Sequence, residues 1–410
     1  MHRIGLLALA ALVGACTSLT PLRTPAPEEL YAMVEPVGLS DVRYWGDDLT
    51  AGQAIAVRRI LSESLTRRWE AAGRPAEGLS ETVLALSGGG PDGAFAAGML
   101  NGWSESGDRP EFHIVTGVSV GALIAPFAFA GPEFDDELRV IFTETETSDV
   151  AQLALFSALR GALAVADTAP LRTRIRTLVD DRLIERIAEG HREGRILLVG
   201  TTNLDAGRPV IWNMGKIAAA GRRDLFQDVL LASASIPGVF PPVLIDVEAA
   251  GRVFQELHVD GGVTRSVFVG PTGSEMAAPQ DLPFPVRRDF YVIQNNALAP
   301  PFEPAPTRLT AILGRSVSTL IRAQTEGDLR RIYDQAYEVG GSFNLAFVPA
   351  GFGTASAAAF DRQYMTALFE RARELGRGEK RWLRAPPGVI GRSELAREIA
   401  ERAAVMQITP

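Results

Sequence analysis

TVLALSGGGPDGAFAAGML, residues 82–100, and FHIVTGVSVGALIAPFAFA, residues 112–130, decide the fold. Each is a short apolar run, then glycines, then an apolar stretch with helical spacing. Thr82–Ser87 is short and continuously apolar, so it reads as a strand buried on both faces. Gly93–Trp103 reads as the helix that follows it. Phe112–Thr116 is a second strand and Ala122–Ala130 a second helix, with Pro126 expected to kink it or cost it a bond. Further strands are expected at Arg195–Thr201, Pro209–Trp212, Phe254–Val259 and Phe290–Gln294. Residues 51–70 place Ala54, Val57, Leu61, Leu65 and Trp69 at helical spacing. Helical patterns return at 309–338 and 358–376, and 134–190 is mainly helical with a polar face. Short apolar strands alternating with helices predict an α/β fold, a three-layer α/β/α sandwich with a mainly parallel sheet.

The cluster Gly88-Gly89-Gly90-Pro91-Asp92-Gly93 literally satisfies GxGxxG. A dinucleotide site also needs an acidic residue closing the second strand, and that strand ends Val115-Thr116-Gly117. A phosphate-binding P-loop needs GK[ST], which is missing. Two readings remain: a tight turn, or a nest of backbone N–H groups able to hold an oxyanion. Pro91 has no N–H, so Gly89 and Gly90 are the expected donors. Gly117-Val118-Ser119-Val120-Gly121 is GxSxG between a strand and an apolar helix, the setting of a nucleophile elbow. The helix start beyond Ser119 favours negative charge near its oxygen.

A nucleophilic serine needs a base. His191 lies in a polar stretch and reads as a solvated surface residue. His258 is either bonded in the core or close to the site. Lys216 and Lys380, the only lysines, have no supporting pattern. Asp260 ends a short strand and precedes Gly261 and Gly262, which would let a substrate or the serine approach. A histidine base would make the chain a Ser-His-Asp esterase of α/β-hydrolase type.

Four segments in order resemble the patatin-like phospholipases: SGGGPDGAFAAGML, TGVSVGALIAPFAF, ASASIPGVFPPV and VDGG, spanning Ser87 to Gly262. The resemblance implies an α/β/α sandwich, a Ser–Asp dyad and a glycine-rich oxyanion hole. Ser119 would be the nucleophile, Asp260 the base, and Gly88, Gly89 and Gly90 the oxyanion loop, with Gly117 and Gly121 framing the elbow. Ala232–Val243 would pack behind the site. The implied activity is hydrolysis of lipid acyl esters, as in a phospholipase A, a lysophospholipase or an esterase, with no metal or organic cofactor. Many members carry arginine or lysine where Asp92 stands. Asp92 either complements the helix start or faces the cleft mouth, where it would disfavour anionic phospholipids. A lipid-binding envelope lipoprotein that has lost activity is the alternative from another class.

Met1-His2-Arg3 is basic, and Ile4–Ala15 is an apolar run too short for a bilayer core of about 30 Å. Val13-Gly14-Ala15-Cys16 resembles the lipobox of bacterial lipoproteins, which implies lipidation of Cys16. The expected organisation is a signal peptide at 1–15, a lipid-anchored tether and helical segment at 16–80, a catalytic domain at 81–350 and a C-terminal helical extension at 351–410. Localisation follows as the bacterial envelope, most simply the outer membrane facing the periplasm or the surface, with membrane and acyl-ester substrate as partners. Hydrophobic residues make 46% and charged residues 22% of the 410-residue chain, a globular mix. A net charge of −8 argues against a nucleic-acid partner. One cysteine and four histidines in no ligand spacing argue against a metal centre. Oligomeric state is not legible.

Overall fold

Alternation along the buried strands builds a core on each side of one sheet. Leu84, Leu86, Val115, Leu197 and Val199 pack to one side. Val83, Ala85, Ile114, Ile196 and Leu198 pack to the other. Period-two alternation with apolar residues at both parities is what a sheet covered on both faces requires.

The computed structural model describes residues 23–145, 152–153, 166–271, 282–298, 309–349 and 360–387, together with 304, 307, 352 and 389. The strands are β1 (Glu35–Pro36), β2 (Arg43–Trp45), β3 (Leu79–Leu86), β4 (Ile114–Val118), β5 (Gln152–Leu153), β6 (Ala166–Asp167), β7 (Ile196–Asn203), β8 (Arg208–Asn213), β9 (Val243–Ala249), β10 (Arg252–Asp260), β11 (Val286–Gln294) and β12 (Ser342–Phe347). The α-helices are α1 (Ala51–Ala71), α2 (Gly93–Glu105), α3 (Val120–Ala130), α4 (Asp135–Thr143), α5 (Ala169–Leu178), α6 (Asp181–Arg192), α7 (Met214–Ala219), α8 (Arg223–Ser233), α9 (Leu309–Glu338) and α10 (Arg362–Arg377). Pro126 lies inside α3, buried.

Ten strands form one mixed sheet in the order β1-β9-β10-β7-β4-β3-β11-β12, with β8 paired to β7 and β2 to β8. β7, β4, β3, β11 and β12 run parallel and form the expected α/β core. An antiparallel flank of β8, β10, β9, β1 and β2 extends it. That flank grows through hairpins. β9 and β10 are joined by Ala250 and Gly251, both at positive φ, the backbone of a tight two-residue turn. Ala250 is an unusual residue for that conformation, and nothing in its local sequence announces the turn. Helices α2 to α8 and α10 contribute to the first core, α1 and α9 to the second. The three-layer sandwich is therefore present. Among the described residues no helix is long and apolar enough to cross a membrane.

Helix α2 is gripped by α10 through glycines. A Cβ on Gly98 would lie 2.1 Å from the Phe369 carbonyl oxygen, one on Gly102 2.0 Å from that of Arg373, and one on Gly376 2.4 Å from that of Met99. These contacts are with backbone, which cannot swing aside. Gly98→Ala should therefore cost on the order of 2 kcal/mol through overpacking and lower the thermal midpoint by several degrees. Gly52→Ala, in open space on α1, should leave the midpoint unchanged or raise it. Equal melting of the two variants would refute the close packing of α2 on α10.

Candidate active site

β4 runs out at Val118, and the chain turns at Ser119 before α3 starts at Val120. Ser119 is held at φ +56°, a conformation that residues other than glycine avoid. The turn is possible because its neighbours have no side chain. A Cβ on Gly117 would be 2.4 Å from the Gly121 carbonyl oxygen, and one on Gly121 2.4 Å from that of Leu86.

Sheet register brings a second residue to this turn. Gly200 and Thr201 are consecutive on β7, and both pair with β8 on one edge. On the other edge, Gly200 pairs with Val118 at the end of β4, and Thr201 pairs with Asp260 at the end of β10. β4 runs parallel to β7 and β10 antiparallel, so the two strands meet end to end. Ser119 and Asp260 lie just where they meet, 7% and 3% exposed.

Two serines at the C-terminal end of α8 and just beyond it, Ser233 and Ser235, fasten the junction. Ser233 Oγ accepts the Ser119 N–H at 3.0 Å and donates to the Gly200 carbonyl at 2.7 Å. Asp260 N–H donates to the Ser235 carbonyl at 3.0 Å. Thr202 Oγ1 donates to the Asp260 carbonyl at 3.0 Å. The carboxylate itself is half satisfied. Oδ1 accepts the Gly262 N–H at 2.7 Å, while Oδ2 is buried without a hydrogen-bond partner. Burial pushes the Asp260 carboxyl up to about 6, against the pull of the nearby Ser119 hydroxyl and the Gly262 amide. Ser119 thus influences the carboxylate without closing a bond at Oδ2.

The glycine loop lies opposite. Gly88 N–H is taken by the Ser266 carbonyl at 3.2 Å, so the amides of Gly89 and Gly90 are left without a protein acceptor among the described residues. Gly88 serves by its size: its Cβ would be 3.1 Å from that of Ser119. Asn295 and Asn296, just after β11, clasp the loop. Asn295 Nδ2 donates to the Ser87 carbonyl at 2.9 Å and Asn296 Nδ2 to that of Gly88 at 3.0 Å. Asn295 Oδ1 accepts the Ala96 N–H at 3.1 Å, tying the loop to α2. Ser233 and Ser235 fall in the segment Ala232–Val243 expected to pack behind the site, whereas Asn295 and Asn296 escaped the sequence reading. The one available signal was a pair of amides directly after the buried strand FYVIQ.

Two cavities open on Ser119. One, of about 860 Å³, is walled by apolar side chains including Leu123, Phe127, Phe142, Ile175, Leu230 and Phe240. The other, a cleft of about 1010 Å³, holds Asp260 and the glycine loop and is lined as well by Gln294, Asn296, Arg322, Thr325 and Glu326.

No histidine or lysine lines either cavity. His258 is fully buried and both ring nitrogens are engaged, with Thr201 Oγ1 at 3.0 Å and Glu256 Oε2 at 3.1 Å. His191 corrects its sequence reading. It ends α6 half-buried, with its ring packed against Gly215, because that helix continues through the polar stretch. Lys216 Nζ donates to the Asp41 carbonyl at 2.9 Å. Lys380 is exposed. Asp92 also corrects one of its expected roles. It lines neither cavity, and its Oδ1 accepts the Tyr364 hydroxyl of α10 at 2.7 Å, so its charge does not face the cleft mouth. Burial pushes it up to about 6, against the tyrosine bond. Cys16 lies outside the described residues.

Residues 84–272 match the family model described as Patatin-like phospholipase, a span just under half the chain. Among solved structures the chain aligns with VipD from Legionella pneumophila at 13% identity, over 81% of this chain and 74% of that one, with a TM-score of 0.28. It also aligns with human GIVD cytosolic phospholipase A2 at 11% identity, over 73% of this chain and 54% of that one, with a TM-score of 0.28. No curated protein matches. The family is one of lipid acyl hydrolases, and its model begins within β3 and ends beyond Asp260, enclosing the glycine loop and both cavity-lining residues at the strand junction. The chain therefore carries a patatin-like phospholipase domain across residues 84–272.

Proposed function

We propose that this protein is a serine acyl-ester hydrolase of phospholipase A, lysophospholipase or esterase type, with Ser119 as nucleophile and Asp260 as its base. The observation that carries the reading is the end-to-end meeting of β4 and β10 on β7, with a strained serine beside a buried carboxylate oxygen that has no partner. Ser119 Oγ attacks the ester carbonyl and its proton passes to Asp260 Oδ2. The tetrahedral oxyanion is held by the amides of Gly89 and Gly90. Collapse expels the alcohol, which takes the proton back from Asp260, and leaves an acyl-serine. Asp260 then draws a proton from water, whose oxygen attacks the acyl carbon; collapse releases the acid as Asp260 returns that proton to Ser119 Oγ. The apolar cavity suits the acyl chain, and the more polar cleft the departing alcohol.

The apolar run before Cys16 supports a lipid-anchored envelope location for this activity. A Cys16→Ser variant should then lose its lipid and leave the membrane fraction. Membrane retention that survives a salt wash would reject the anchor.

Ser119→Ala should lower kcat/KM for a medium-chain aryl ester by more than about a thousandfold while the thermal midpoint holds. Asp260→Asn, which keeps the shape but cannot take the proton, should lose a comparable amount. An alanine variant that turns over near the wild-type rate would exclude Ser119 as nucleophile.

The acid limb of kcat/KM should fall near pH 6, well above an ordinary aspartate. The sign follows from the raised carboxyl: below about pH 6 Asp260 already holds a proton and cannot accept one from Ser119. A rate that stays flat down to pH 4.5 in a protein still folded would remove Asp260 as the base.

A further inference from the structure

Arg322 is a cation of the cleft that ester hydrolysis itself leaves unused. It lies on α9, outside the matched segment, and lines the same cleft as Ser119, Asp260 and the glycine loop. Its neighbours on the same helix are paired. Arg330 meets Asp334 at 2.9 Å, and Arg331 bonds Asp328. Arg322, partly buried, forms no hydrogen bond or ion pair among the described residues, although Glu326 stands one turn on and lines the same cleft. Partial desolvation, and then the nearby charge of Arg315, lower the Arg322 pKa, and no carboxylate counters them. A desolvated guanidinium beside a second cation is poorly placed unless an anion arrives. Asp92, beside the glycine loop, is turned onto Tyr364 and adds no carboxylate to the cleft.

We propose that Arg322 binds the phosphate of a leaving alcohol, so that the cleft takes an acylglycerol phosphodiester in preference to a neutral acyl ester. The proposal rests on the Ser119–Asp260 reading, because it makes the cleft the leaving-group side. In a glycerophospholipid the phosphate belongs to the alcohol that departs, a few bonds from the scissile ester. A planar guanidinium matches two phosphate oxygens at once.

The test compares a lysophosphatidylcholine with the monoacylglycerol of the same chain length, both dispersed in neutral detergent, using the full chain. Arg322→Gln should lower the ratio of kcat/KM for phospholipid over monoacylglycerol about tenfold or more, chiefly through KM. Arg322→Lys should restore part of that ratio. Added salt should reduce the wild-type ratio and leave that of Arg322→Gln flat. A ratio unchanged by the substitution overturns the proposal, as does a parallel loss on both substrates with an unchanged thermal midpoint. A Ser119→Ala protein that hydrolyses both substrates like wild type would instead break the reading beneath it. Monoacylglycerol hydrolysis separates the two sources of phosphate. Stronger inhibition by glycerophosphocholine than by inorganic phosphate supports the leaving-group site, and the reverse order overturns it.

Discussion

Everything at the site depends on two strands meeting head-on against one edge of β7. β4 supplies rungs up to Gly200 and β10 takes over at Thr201. Such a junction interrupts the ladder, so its backbone groups need other partners. Ser233 and Ser235 provide them, one for the Ser119 amide and one for the Asp260 amide. The junction also demands close approach. A Cβ on Gly261 would stand 2.5 Å from the Gly200 carbonyl oxygen. Small residues at the seam, and the Ser233 hydroxyl and Ser235 carbonyl behind it, are thus requirements of the topology before they are requirements of any chemistry.

Two carboxylates on β10 show how the surroundings divide protonation behaviour along one strand. Glu256 is fully buried, and burial alone would push it up. Arg43 and His258 beside it hold it instead at about 2. Asp260, four residues on, has no cation and is left at about 6. The first carboxylate stays ionised across the physiological range, and removing Arg43 would leave a buried charge unpaired at a cost of about 3–5 kcal/mol. The second can exchange a proton near neutrality. His258 is tied to the structural carboxylate, which explains its place in the chain near Asp260 without a place in the cavities.

The local motifs were legible because they are made of local constraints. Glycines around Ser119 and the glycine loop are dictated by backbone conformation and close approach, which leave marks within a few residues. α9 was legible to the residue, since its pattern runs for many turns. β9 was not. Its turn uses Ala250 rather than a residue that favours positive φ, so no local signal marks the hairpin it belongs to. β1 and β2 are too short to carry a pattern at all. The bonds that set the site were invisible for another reason. Ser233 reaches Ser119 across 114 residues, and Asn295 reaches Ala96 across 199. No periodicity encodes such a pairing; only the sheet order does.

That distance in sequence bears on which parts of the chain make the site. The matched segment contains Ser119, Asp260 and the glycine loop, yet the loop is clasped by Asn295 and Asn296 and tied through Asp92 to Tyr364 of α10. One wall of the cleft comes from α9. The apolar cavity is closed in part by Phe360 and Met365. Segments after residue 272 therefore share in walling both cavities and in holding the glycine loop, while Ser119 and Asp260 themselves lie before it. A backbone that must satisfy the strand junction is hard to alter. Of the later elements, β11 reaches the glycine loop through backbone, its Ile293 carbonyl accepting the Ser87 N–H at 3.1 Å, whereas α9 and α10 bond the site region through side chains such as Thr325 and Tyr364. Side chains on α9 and α10 are accordingly free to change without disturbing the junction that holds Ser119 and Asp260.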